Sequence, residues 1–256
     1  MAYPPPREQV VLITGARGVI GSAVVRRLAR MGYSLVLADR EEPGFSPEEL
    51  AGAGNVTCER LDVSDRDAVF ELVAQTMKRH GRIDCLVTVA GVTSVGGFET
   101  ITEAEYRRVL SINLDGVFFS NQAVMAPMKA QGFGRIVNIG SILAKNGGNA
   151  RPWLDPHEQA GSANAVYGAS KAAVHSLTLY AAKELASHGA TANVVAPGPI
   201  QSPMTVNFPE ALRATIPVGR LGLADEVAGT VAFLLGADAG FITGEIIDVN
   251  GGAWPD

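Results

Sequence analysis

The stretch VVLITGARGVIG, residues 10–21, decides the fold. Its first half, Val10 to Thr14, is a short apolar run of the kind a parallel strand buried on both faces requires. Its second half places glycines at Gly15, Gly18 and Gly21, and Ile20 to Met31 carries apolar residues at helical spacing. A glycine-rich turn between a strand and a helix brings backbone N–H groups against a pyrophosphate, and the helix N-terminus stabilises the charge. A second strand, Ser34 to Ala38, runs into Asp39, 18 residues beyond Gly21. A carboxylate there accepts hydrogen bonds from the ribose hydroxyls of a dinucleotide and repels a 2′-phosphate. The reading is a nucleotide-binding unit that takes NAD, with Arg17, Val19 and Ile20 in the turn. Arg17 and Arg40 have the opposite charge preference and leave NADP open.

Outward from this unit the pattern repeats. Strands are expected at Val56 to Leu61, Ile83 to Val89, Gly134 to Ile139, Thr191 to Ala196 and Glu245 to Val249. Helical patterns run from about 65 to 80, 103 to 129, 166 to 187 and 225 to 235. Strands separated by helices imply right-handed crossovers and a parallel sheet covered on both faces. The expected fold is α/β: a single doubly wound Rossmann-type domain with a seven-stranded parallel sheet. Residues 1–8, with three prolines, read as a flexible tail, and residues 9–256 as one catalytic domain without repeat or linker.

Composition removes several classes. A chain of 256 residues buries enough surface to fold without disulfides or metal. Hydrophobic residues at 47% against 18% charged exclude disorder, and a net charge of −5 argues against nucleic-acid and membrane-surface partners. Cys58 and Cys85 form no CxxC, and the four histidines never fall at HxxxH spacing, so no metal site is expected. No apolar run reaches ~18 residues, and no signal peptide opens the chain. The expected setting is the reducing cytoplasm.

Tyr167 and Lys171 stand four residues apart, so they share one helix face. A free tyrosine titrates near ~10 and exchanges protons poorly at neutral pH. An ammonium ~4 Å away, at an effective dielectric of ~20, favours the phenolate by about 4 kcal/mol, roughly three pKa units. Tyr167 then serves as a general acid–base.

With this pair in place the chain resembles the short-chain dehydrogenase/reductase family in its compact form, over about residues 8 to 253. Asn113-Leu114-Asp115-Gly116 is similar to the family's NxxG. Ser141 follows the fifth strand, Pro197-Gly198-Pro199-Ile200 the sixth, and Gly219 to Asn250-Gly251-Gly252 resembles the oxoacyl-reductase-like branch. The resemblance implies that Tyr167 gives a proton to a carbonyl or takes one from an alcohol. Lys171 lowers its pKa and binds the nicotinamide ribose, and Ser141 hydrogen-bonds the substrate oxygen. Asn113 kinks the long helix and holds a water that relays protons to Lys171. Asp62 and Val63 contact the adenine, Ala90 and Gly91 pass near its ribose, and Ile200 and Ser202 hold the carboxamide.

The chain departs from the family in four places. Val19 stands where the compact form has a glycine, so the turn reads TGxxGxxG, the spelling of the extended branch. Thr88-Val89-Ala90-Gly91 replaces NNAG, with Thr88 as the substitute for a lost amide. Asn250 replaces an aspartate. Ser141 and Tyr167 lie 26 residues apart, roughly twice the usual spacing, which makes about 145–165 an insertion anchored at the site. Trp153 and His157 in it are expected to shape the substrate pocket, while the lid segment from Ser202 to Gly219 is short.

These readings imply an NAD-dependent oxidoreductase that interconverts a secondary alcohol and a ketone. A non-catalytic NAD-binding sensor and an NAD-retaining epimerase or lyase remain as alternatives. Gly168, Ala169, Ala172, Ala173, Ala181 and Ala182 near Tyr167 let another helix approach closely, so a homotetramer is expected.

Overall fold

The computed structural model describes residues 3–94, 96–148, 165–206 and 208–254. Strand and helix alternate as β1 (Val10–Thr14), α1 (Val19–Arg30), β2 (Ser34–Asp39), β3 (Val56–Arg60), α2 (Arg66–His80), β4 (Cys85–Thr88), α3 (Glu103–Leu110), α4 (Gly116–Gln131), β5 (Gly134–Ile139), α5 (Leu143–Asn146), α6 (Ala165–Ala186), β6 (Ala190–Pro197), α7 (Glu210–Arg213), α8 (Ala224–Leu235) and β7 (Ile246–Val249). The seven strands pair in parallel in the order β3-β2-β1-β4-β5-β6-β7. The order reverses between β1 and β4, and the crevice above the carboxyl ends of the strands there is where such sheets bind ligands.

Each central strand is buried on both faces, which is why its sequence runs apolar without alternation. The period of two still sorts the side chains. Val11 and Ile13 of β1 enter one core with Val24 and Leu28 of α1 and Val231 and Leu235 of α8. Val10 and Leu12 enter the other with Leu72 of α2, Met128 of α4 and Leu185 of α6. The edge strand β7 is half-buried along its length. Local signals set the helix ends. Asp65 accepts a hydrogen bond from the Ala68 N–H at 3.1 Å and starts α2, and Gly81, at φ +73°, stops it.

The structure departs from the sequence reading at the start of the chain and refines it at the long helix. The tail expected to be free over residues 1–8 is docked from Tyr3 onward. Pro6–Glu8 forms a 3-10 turn, and the Tyr3 ring meets Phe133 edge to face at 5.5 Å while its hydroxyl donates to Leu235 O. An aromatic body with a polar tip gains from such a half-apolar seat. The long helix expected over 103–129 is interrupted by a π-helical segment, Ser111–Asp115, between α3 and α4. Among the described residues no helix is long and apolar enough to cross a membrane. The expected insertion is described only at its ends, in α5 and at the start of α6; Trp153 and His157 lie outside the described residues.

Candidate active site

The β1–α1 turn is shaped by close backbone approach. A Cβ on Gly15, which sits at φ +70°, would lie 2.3 Å from Ala90 N, and one on Gly21 would lie 2.0 Å from Gly15 O. Gly18 is less constrained: its hypothetical Cβ would meet only Gly15 O, at 3.4 Å, and its φ is −61°. It caps α1, whose first helical bond runs from Ser22 N–H to Gly18 O at 2.8 Å. The amides of Val19, Ile20 and Gly21 therefore stand at the positive end of the helix, a cradle for an anion. Val19 is 40% exposed, so the side chain that replaces the family's glycine points out of the turn.

Asp39, at the end of β2, accepts a hydrogen bond from the Arg17 N–H at 2.9 Å. The Arg17 guanidinium is paired with Glu41. Asp62 accepts from both the N–H and the hydroxyl of Ser64, at 2.9 and 2.6 Å, and these bonds hold its carboxyl below the usual range. Val63 packs where a Cβ on Gly116 would lie 2.7 Å from its Cγ2, which accounts for the glycine of NxxG. Val89 and Ala90 both donate to Thr14 O, at 3.0 and 3.2 Å, bringing the end of β4 beside the turn. A Cβ on Gly91 would sit 3.4 Å from Asn113 Oδ1 and 3.5 Å from Lys171 Nζ, so Gly91 packs directly against the lysine and the asparagine. Beyond β6, Gly198 lies against Asn250, Ile200 bridges to Gly222, and the Ser202 N–H donates to Thr205 Oγ1 at 2.8 Å.

At the β5–α6 end, Ser141, Tyr167 and Lys171 come together as expected. The Ser141 side chain hydrogen-bonds the Tyr167 hydroxyl, and Ser141 Oγ accepts from the Leu143 N–H at 3.1 Å. Lys171 is buried; its Nζ donates to Ile139 O at 2.7 Å and lies 5.9 Å from the centre of the Tyr167 ring. Burial pushes Lys171 down to about 8. Burial also raises Tyr167, with the Ser141 hydrogen bond opposing it. The expectation that the nearby lysine brings the phenol down is not met: desolvation sets the direction in this pocket, and the phenol is held as a proton donor.

Asn113 is fully buried in the π segment. Its side chain exchanges hydrogen bonds with both backbone groups of Val92, at 2.8 and 2.9 Å, and donates to Ser170 Oγ at 3.1 Å. The interrupted helix agrees with the expected kink. Both amide hydrogens are spent on protein partners, so the side chain braces the segment after β4 and the helix α6 against the π segment. Thr88 takes over for the missing amide: it donates to Asn138 Oδ1 at 2.7 Å, and Asn138 reaches Asn121 and Thr178 at 3.2 and 2.9 Å. A satisfied polar network thus ties β4, β5, α4 and α6. Sequence reasoning missed Ser170, Ser94, which accepts from the Tyr167 N–H at 3.4 Å, and His175, whose Nε2 accepts from the Ser141 N–H at 3.4 Å. The helical spacing of Lys171 and His175 was the available signal.

A glycine cradle at a helix N-terminus and a Ser–Tyr–Lys cluster above β5 define a nicotinamide-dependent oxidoreductase. The family model described as enoyl-(acyl carrier protein) reductase matches residues 15–253. The chain belongs to the short-chain dehydrogenase/reductase family. It is 37% identical to a 3-oxoacyl-(acyl-carrier-protein) reductase of Thermotoga maritima, over 95% of this chain and 97% of that protein. It is 33% identical to an acetoacetyl-CoA reductase of Allochromatium vinosum, over 95% of this chain and 98% of that protein. An NADH-dependent reductase of alginate metabolism, of known structure, superposes with a TM-score of 0.83 at 29% identity, over 97% of this chain and 98% of its own.

Proposed function

We propose that the protein interconverts a secondary alcohol and a ketone with NAD(H), Tyr167 acting as general acid–base. The observation that carries this is the Ser141–Tyr167 hydrogen bond beside a buried Lys171. Ser141 Oγ accepts from the Leu143 N–H, so its hydrogen, aimed at the Tyr167 oxygen, can turn to the substrate oxygen when that oxygen enters beside them. In reduction Tyr167 gives its proton to that oxygen as charge develops there; in oxidation it takes the proton back, aided by the Lys171 charge. The bound nicotinamide supplies or accepts the hydride. Lys171, with its Nζ beneath Gly91, would hold its ribose, and Gly15, Gly18 and Gly21 fit the pyrophosphate.

NAD is favoured over NADP by Asp39 and by Glu41, which pairs with the Arg17 guanidinium. The reductase named above as NADH-dependent has the same architecture. The test is turnover of NAD(H) and NADP(H) against acetoacetyl-CoA, ethyl acetoacetate, cyclohexanone and 4-hydroxycyclohexanecarboxylate. Higher kcat/KM with NADP than with NAD overturns the cofactor assignment, and no turnover with any of them overturns the reaction. A small-molecule alcohol or ketone is the substrate, and Trp153 and His157 would line its pocket. Free Cys58 and Cys85 suit a reducing compartment such as the cytoplasm. Exposed Phe118 on α4 and Leu179 and Tyr180 on α6, with Phe233 on α8, favour a homotetramer. Light scattering that returned 26.8 kDa would rule this out.

A further inference from the structure

The run from Gly140 to Leu143 carries the serine of the site, and each of its four amides has a partner. Gly140 N–H donates to Val195 O at 2.8 Å and Ile142 N–H to Pro197 O at 3.0 Å, so two of them are held by β6. Leu143 N–H goes to Ser141 Oγ at 3.1 Å. The Ser141 N–H goes to a side chain on the opposite element, Nε2 of His175 at 3.4 Å. His175 is 6% exposed and lies one turn beyond Lys171 on the same face of α6. Its ring is pressed onto the peptide: a Cβ on Gly140 would lie 2.2 Å from Nε2, 2.7 Å from Cδ2 and 2.6 Å from Val194 Cγ1. Glycine at 140 is what lets the imidazole reach the next amide, and it also adds backbone freedom just before the serine.

We propose that His175 is the positioning residue for Ser141. Its imidazole is neutral, with the proton on Nδ1, because Nε2 accepts. It holds the Gly140–Ser141 peptide against the freedom that Gly140 introduces. Ser141 Oγ then stays within reach of both the Leu143 N–H and the Tyr167 hydroxyl. A displacement of the hydroxyl by a fraction of an ångström weakens donation to the substrate oxygen most in the transition state, so the effect falls on rate rather than binding. The inference rests on Ser141 and Tyr167 being the reacting pair.

The experiment compares His175→Leu, His175→Gln and His175→Asn with wild type and Tyr167→Phe. The substrate is whichever compound of the panel above the wild type turns over fastest. Cofactor affinity is followed by NADH fluorescence. Gln places an acceptor oxygen near the position of Nε2, and Asn is too short to do so. His175→Leu is expected to lose roughly tenfold in kcat, with KM and cofactor Kd within about twofold. His175→Gln is expected to recover most of that rate. Wild-type kcat in the Leu variant, a folded Gln variant as slow as Leu, or a loss confined to cofactor Kd overturns the proposal. Should the Leu variant fail to fold, a fast Gln and a slow Asn variant support the proposal, and equal rates overturn it. Retained turnover in Tyr167→Phe is a separate failure, of the site reading itself.

Discussion

The two ends of the crevice are made of different materials. At the β1–α1 end the shape comes from backbone: Gly15 and Gly21 admit main-chain atoms where a Cβ would sit 2.3 and 2.0 Å from them. Side chains touch that turn only at its rim, among the described residues: Asp39 accepts from the Arg17 N–H, Glu41 pairs with the Arg17 guanidinium and Ser22 donates to Val19 O. At the β5–α6 end the shape comes from side chains: Asn113, Ser170, Tyr167, Ser141 and His175 are linked by hydrogen bonds, and Lys171 is tied to the Ile139 carbonyl beside them. The first end tolerates a change in side-chain chemistry so long as the backbone closes, which is why Val19 is accommodated. The second fails when single atoms are removed, because each polar group there is desolvated and has few substitutes.

The largest effect should come from the second end. Tyr167→Phe deletes one oxygen and is expected to lower kcat by roughly 10²–10⁴-fold. Cofactor affinity, measured by fluorescence, should stay near wild type; a parallel loss of affinity would mean that the two ends are not separable. Next comes a contrast within the first end. Gly15→Ala should cost cofactor binding about tenfold or more, because the turn must open and a residue at φ +70° is strained. Gly18→Ala meets only an ordinary contact and should leave the melting temperature unchanged, with a smaller loss of affinity. Equal losses for the two would show that Gly18 makes room for the pyrophosphate itself. Smaller still is the charge effect at the rim of the first end. Asp39→Ala should narrow the NAD-over-NADP ratio of kcat/KM. Glu41→Gln should narrow it by a further few-fold by releasing Arg17, within the range of an exposed ion pair. An unchanged ratio in both variants would remove the carboxylates from cofactor choice.

The same contrast explains what the sequence made legible. Glycine spacing, apolar strands and the step to Asp39 report backbone geometry directly, and the sheet order and the cradle follow them. YxxxK reports a helix face, so Tyr167 and Lys171 were visible too. His175 was not, because its role depends on Gly140 arriving beside it from a strand 35 residues earlier. Asn113 was visible as a position, but its partners at Val92 and Ser170 follow from the π segment, which no periodicity announces. Tyr3 was misread because proline-rich termini look free until an aromatic finds a seat, here against Phe133. The direction of the Tyr167 shift was misjudged for a similar reason: charge spacing is written in the sequence, and desolvation is not.

Desolvation leaves its own mark on Lys171, the smallest and most specific of the expected effects. Burial lowers it from 10.5 to about 8, whereas the unfolded chain keeps the higher value. Between these two values the unfolded state holds a proton that the folded state has released, so unfolding takes up protons and stability rises with pH. The stability from the neutral amine is complete above the unfolded value and lost as pH falls through about 8, below which the folded protein carries the full cost of a buried ammonium. Cofactor-free wild type and Lys171→Met, compared by urea unfolding across that window, isolate the contribution. The gap should shift in favour of wild type as pH rises. A gap that is flat with pH would mean that the Ile139 carbonyl, 2.7 Å from Nζ, compensates the ammonium for its burial. Lys171 would then be charged at every working pH, and the second end of the crevice would be as insensitive to its surroundings as the first.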